Sequence, residues 1–173
     1  TRKADSLTGI SLENIRYSYP VITKGQTTAQ PILQNVNMKI SKGDHIAIMG
    51  TSGSGKSTLA KILAGYILPT SGRMKGIFSS PFSLTTWFHR PASPQQLVAQ
   101  DPFESFAANL TLGQQIGADV RRRMEAYLET MHLHEDIWNQ RPSTLSGGEL
   151  QRVALARALG AGDHLSMIIL DES

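Results

Sequence analysis

A chain of 173 residues can bury one core, or a core with a small subdomain, and its lack of cysteine excludes disulfides, zinc–thiolate sites and a thiol nucleophile while fitting a reducing compartment. The formal charge of +3 is scattered except for Arg121-Arg122-Arg123, which falls in a helix-period segment and reads as a solvated helix face rather than a nucleic-acid footprint. Apolar runs are short, none nearing the roughly 20 residues that cross a bilayer, and no positively charged start followed by an apolar stretch and a small-residue cleavage site marks a secretory signal.

Residues 10–19 and 32–40 alternate polar and apolar, which predicts two strands joined by a long loop rich in Thr, Gln, Gly and Pro. Residues 45–49 read as a buried strand, followed by a glycine-rich turn and a helix carrying Leu59, Ile62, Leu63 and Tyr66 on one face, ended by Pro69 and Gly72. Residues 76–94 hold aromatics among Ser, Thr and Pro without periodicity and receive no element. Residues 110–138 are mostly helical, with Met124, Tyr127, Leu128 and Met131 on one face, and predict a second lobe that Pro142 breaks. A helix restarts at Ser146, runs to Leu159 and stops at Gly160 to Gly162. A short buried strand, 167–170, then delivers Asp171 and Glu172. No internal repeat or low-complexity tract is visible.

Gly50-Thr51-Ser52-Gly53-Ser54-Gly55-Lys56-Ser57 has the phosphate-loop spacing between a strand and an amphipathic helix. Glycines let the backbone wrap a polyphosphate, so that N–H groups and the positive end of the helix dipole meet its charge. Lys56 then reaches the β- and γ-phosphates, and the Ser57 hydroxyl coordinates Mg²⁺. A glycine-rich turn that binds nothing would show this pattern in about one chain in a hundred. The correct flanks shrink that chance further, so nucleotide binding is expected.

Asp171 and Glu172 end an apolar strand, and ligands of parallel sheets gather at such carboxyl ends. With the phosphate loop in the same chain, Asp171 is the carboxylate for the Mg²⁺ shell and Glu172 the group that orients or deprotonates an attacking water. Ser146 and Glu149 have capping-box spacing, which explains a well-made helix start. It does not explain Gly147 and Gly148 in the first turn, which cost roughly 1 kcal/mol each in helix stability. Their presence points to a second anion site where backbone must come close to its ligand.

The segment Leu145-Ser146-Gly147-Gly148-Glu149 and the helix that follows, placed between a phosphate loop and an acidic strand end, resemble the signature region of ABC ATPases, and the likeness covers nearly the whole chain. It implies an α/β fold: a P-loop NTPase core with a mainly parallel sheet, an N-terminal antiparallel β region and a helical signature subdomain. The implied layout is a single domain over 1–173, with β region and nucleotide-binding core at about 10–100, helical subdomain at about 101–147, and signature helix plus acidic strand at 148–173. It also implies ATP and Mg²⁺ as cofactors and head-to-tail pairing with a second such domain, in which Ser146, Gly147 and Gly148 cap the γ-phosphate held by the other loop. Water attacks that phosphate in line, with Glu172 as the catalytic residue. Transmembrane permease subunits are the implied partners, nucleic acid is not, and the implied location is peripheral, on the cytoplasmic face of the cell membrane.

By position, Gly50, Thr51, Ser52, Gly53, Ser54, Gly55, Lys56, Ser57 and Thr58 would line the nucleotide. Tyr19 matches the aromatic that stacks on adenine, with Tyr17 as a core residue or a rival for the role. Gln100 looks like the glutamine that joins Ser57 and Asp171 at Mg²⁺. Gln100-Asp101-Pro102 and Leu110 to Ile116 look like the branch that powers peptide and nickel importers, although Ala107-Ala108-Asn109 replaces its usual Leu-Asn-Pro and Ser173 a usual Pro. Family members continue past the acidic pair to an interface loop and a strand ending in histidine. His45, His89, His132, His134 and His164 all precede that pair, so the chain is expected to bind ATP and hydrolyse it poorly by itself. Two rivals are weighed. A soluble ABC ATPase of DNA repair or translation would usually carry a long insertion between Lys56 and Thr144, and a degenerate ATP-dependent clamp would not keep Lys56, Asp171 and Glu172.

Overall fold

In the computed structural model, which describes residues 9–23, 25–76, 95–162 and 165–171, the alternating N-terminal pattern becomes a long antiparallel hairpin. Strand β1 (Gly9–Thr23) pairs with β2 (Gln26–Ser41) from Gly9 opposite Ser41 out to Thr23 opposite Gln26. The long loop expected between them is therefore mostly ladder, because Thr, Val and Ile favour a pleated surface and the chain reverses at Gly25, whose φ of 78° suits glycine. A third strand, β3 (Ser71–Lys75), lies on the other side of β1, giving the order β2-β1-β3. The two meet closely at Gly72, where a Cβ would lie 2.6 Å from the Asn14 carbonyl oxygen and φ is 105°. Ile10, Leu12, Ile15 and Leu33 are buried on this sheet.

Helix α1 (Lys56–Leu63) belongs to the same compact unit, Thr1–Pro81, and buries Thr58, Leu59, Ala60, Ile62 and Leu63. It stops before Pro69, since Gly65 turns the chain at φ 74° and donates its N–H to the Ile62 carbonyl. The buried strand expected at 45–49 is not formed. Residues 44–50 carry no ladder, and Ile46, Ile48 and Met49 are 47%, 41% and 90% exposed. An apolar run becomes a strand only where a neighbour offers backbone donors and acceptors, and among the described residues no strand pairs with this segment.

The second unit, Phe82–Ser173, holds a parallel pair, β4 (Gln95–Val98) and β5 (Met167–Leu170), in register from Gln95 opposite Met167 to Val98 opposite Leu170. Strand β5 was expected to be buried, yet it is half-buried, because among the described residues it has a ladder neighbour on one side. Around it fold α2 (Leu112–Gln115), α3 (Ala118–Leu128) and α4 (Gly147–Leu159), joined by 3₁₀ turns at Pro102–Ser105, Glu135–Asn139 and Pro142–Thr144. The lobe closes on Leu112, Met124, Leu150 and Val153, all fully buried, with Tyr127 and Met131 packed partly buried against them. The face read from periodicity is thus the face that is covered.

The arginine run is less uniformly solvated than its composition suggests. Arg121 lies 4.9 Å over the Trp138 ring, and Arg123 donates from Nε to the Gly160 carbonyl at 2.6 Å. Arg122 is exposed and lies 3.9 Å from Asp119. Residues 77–94, left without an element by the sequence, lie outside the described residues.

Candidate functional site

The phosphate-loop residues sit where β2 and α1 meet. Ser54 donates its N–H to the Thr51 carbonyl at 3.2 Å, closing a turn, and Gly53 and Gly55 take φ of 79° and 94°. Gly55 is the residue before α1, and a Cβ there would lie 2.8 Å from Leu33 Cδ2 and 3.0 Å from Ile32 Cγ2, so glycine is required by conformation and by space. Helix α1 has no side-chain cap and no acidic residue in its first turn. A helix start with no side-chain cap and no first-turn carboxylate is the kind that receives an anion. Lys56 Nζ donates to the carbonyls of Gly50 and Thr51 at 2.9 and 3.0 Å, which places the cation inside the loop's own curve. Residues 50–54 are exposed, Gly55, Lys56 and Ser57 half-buried and Thr58 buried, so Thr58 serves the helix core while the others face an approachable loop. This geometry fits a polyphosphate tail: a crowded glycine, a helix start without a side-chain cap and one lysine within the loop.

Tyr19, 38% exposed, and Tyr17, half-buried, meet with ring centroids 4.9 Å apart and planes at 85°. They lie on β1, with Tyr17 opposite Leu33 and Tyr19 opposite Gln30 on β2.

In the second unit, Gln100 follows β4 by two residues and Asp171 follows β5 at once, and the Asp171 N–H donates to the Val98 carbonyl at 3.0 Å. The register thus brings these two sequence-identified residues to the carboxyl end of the same parallel pair. Asp101, next along, caps the 3₁₀ turn by accepting from the Phe103 N–H at 2.9 Å. Glu172 lies outside the described residues.

The signature segment folds as its spacing requires. Ser146 Oγ accepts from the Glu149 N–H at 3.2 Å and donates to Glu149 Oε2 at 2.6 Å, and the Ser146 N–H donates to the same carboxylate at 2.9 Å. A Cβ on Gly147 would meet nothing within 4 Å, and one on Gly148 only Arg152 Nη1 at 3.6 Å. The fold itself therefore leaves room for side chains at both glycines. Hydrogen bonds from the Ser146 side chain, then from its backbone, hold the Glu149 carboxyl below the ordinary carboxylate value. A depressed folded-state value means the box stabilises the lobe fully above the usual carboxylate range and fades as pH falls through the depressed one. Ser146→Ala is expected to lower stability by about 1 kcal/mol and to flatten the acid decline, followed by thermal unfolding between pH 3 and 7. Equal acid profiles for both proteins would contradict it.

One contact escaped the sequence reading. Arg157 on α4 donates from Nη1 to the Ser105 carbonyl at 2.8 Å and lies 4.4 Å over the Phe106 ring, tying the signature helix to the turn after Gln100. The partners are 52 residues apart, so no local pattern announces them.

These features define a phosphate-loop nucleotide-binding protein, with an uncapped glycine-rich helix start in one unit and an acidic strand end in the other. Residues 33–173 match the ABC transporter family, and the chain belongs to it. The chain is 33% identical over 174 residues to the energy-coupling factor transporter ATP-binding protein EcfA1 of Halalkalibacterium halodurans, covering 95% of this chain and 59% of that one. It is also 33% identical over 162 residues to the nickel import ATP-binding protein NikE of Rhodospirillum rubrum, covering 86% and 57%. The chain therefore spans somewhat more than half the length of these relatives. The dimeric ATP-binding cassette MJ0796, solved in a post-hydrolysis state with ADP and Pi, superposes with a TM-score of 0.67 at 23% identity, covering 94% of this chain and 87% of that one, a likeness of fold.

Proposed function

We propose that this chain is the nucleotide-binding part of an ABC transporter ATPase, which binds Mg-ATP, pairs head to tail with a second such domain and hydrolyses ATP to drive permease subunits. The observation that carries this reading is the phosphate loop itself, with Gly55 crowded by Ile32 and Leu33, α1 uncapped and Lys56 drawn into the loop. Gly50 to Ser57 hold the phosphates, Ser57, Gln100 and Asp171 hold the Mg²⁺ shell, Tyr19 carries the adenine, and Ser146, Gly147 and Gly148 cap the γ-phosphate of the opposing domain. Bound Mg²⁺ would neutralise charge developing on the phosphate oxygens. Lys56 adds a second cation there, and Glu172 positions the water.

Location follows from partnership: a peripheral protein on the cytoplasmic face of the membrane, held by its permease. Among the described residues no helix is long and apolar enough to cross a membrane. For cargo we propose peptide or nickel import, supported by Gln100-Asp101-Pro102 and the segment Leu110 to Ile116. The relatives do not favour it, since the energy-coupling factor and nickel import proteins stand at equal identity. Calorimetry with ATP, in Mg²⁺ and in EDTA, tests the core of the reading. Binding tightened by Mg²⁺ is expected, and no heat with either would sink it.

A further inference from the structure

Edge-to-face aromatic pairs hold each other's orientation, and in such a pair one ring always keeps at least one face uncovered by its neighbour. Tyr17 and Tyr19 form such a pair, at 4.9 Å and 85°, on the strand that borders the phosphate loop through β2. Tyr17 stands opposite Leu33, and Leu33 is the side chain that crowds Gly55. The ladder slips in register between Leu12 and Ile15, between Ile15 and Tyr17, and again between Tyr17 and Ser18. The last slip re-aims Tyr17 relative to Tyr19, which itself stands in the regular ladder running from Ser18 opposite Pro31 to Thr23 opposite Gln26. Tyr19 is 38% exposed, so part of its ring stays open to solvent. The Tyr17 ring packs edge to face against it and fixes the direction in which that open part looks.

We propose that Tyr17 is a positioning residue for nucleobase recognition: its ring, set edge to face against Tyr19, holds Tyr19 with a face presented to the adenine. This rests on the nucleotide-binding reading above and adds to it a division of labour between the two tyrosines. Tyr19 touches the base, and Tyr17 acts through Tyr19. Without Tyr17 the Tyr19 ring turns about its side-chain bonds, and ordering it again is charged against binding.

The test separates base from phosphate. Affinities for ATP and for inorganic tripolyphosphate, both with Mg²⁺, are measured by calorimetry on the protein and on Tyr17→Leu, Tyr17→Phe and Tyr19→Ala. Tyr17→Leu keeps apolar bulk and removes the ring. It is expected to weaken ATP by about 2- to 10-fold, the scale of one aromatic pair, with tripolyphosphate unchanged. Tyr17→Phe restores the ATP affinity, and Tyr19→Ala loses at least as much as Tyr17→Leu. A general loss of fold would lower both ligands together, so the ratio reports positioning. An unchanged ratio in Tyr17→Leu overturns the proposal, as does a larger loss there than in Tyr19→Ala, which would make Tyr17 the stacking ring itself. Failure of the unaltered protein to bind either ligand would instead refute the nucleotide site.

Discussion

Lys56→Ala is expected to weaken ATP binding by about 30- to 5,000-fold, the range for truncating one partner of a close charge pair. The lysine's ammonium rests on the carbonyls of Gly50 and Thr51 at 2.9 and 3.0 Å, in a loop whose residues 50–54 are exposed. The two carbonyls it leaves lie in an exposed loop where water replaces the lysine, so the variant should fold. Binding is a different matter, because a triphosphate drawn against α1 brings several negative charges to a helix start that supplies only partial positive charge. Lys56 is the full cation of the loop. Isothermal calorimetry gives the affinity and thermal unfolding gives the control. Unchanged ATP affinity in a folded Lys56→Ala protein would remove the assignment of this loop.

The phosphate loop was legible because its information is local: eight consecutive residues fix the turn, the left-handed glycines and the helix that follows. The capping box at Ser146 and Glu149 was legible for the same reason, as was the covered face of α3 through Met124 and Leu128. Segments whose identity depends on a distant neighbour were misread. Residues 45–49 have the composition of a buried strand, but composition cannot supply a ladder partner. The converse error hid β3 and β4. Ser71-Gly72-Arg73-Met74-Lys75 is a strand because β1 offers its edge, and Gln95-Gln96-Leu97-Val98 because β5 does. Gln100 was chosen from family position and Asp171 as the carboxylate that ends an apolar strand, and the β4 and β5 register brings them to one edge. Arg157 could not be found at all, since its carbonyl acceptor on Ser105 is created by the tertiary fold.

Gly148→Ala separates the fold's requirements from those of the proposed function by the sign of its effects. Neither Gly147 nor Gly148 has a positive φ, and an added Cβ at Gly148 would meet only the Arg152 guanidinium at 3.6 Å, ordinary contact. Alanine at a helical position that tolerates it is worth up to about 1 kcal/mol over glycine. The substitution is therefore expected to stabilise the helical lobe, seen as a higher thermal midpoint. If these bare amides receive the γ-phosphate of an opposing domain, a methyl group there stands between backbone and oxygen. ATP-dependent pairing, followed by analytical ultracentrifugation, should then be largely lost while ATP affinity of the single domain stays unchanged. A stability mutation alone would leave pairing intact or improve it, and a damaged fold would lower the midpoint. Undiminished pairing with ATP in Gly148→Ala would leave the two glycines without a reason in this helix and would reject the second anion site.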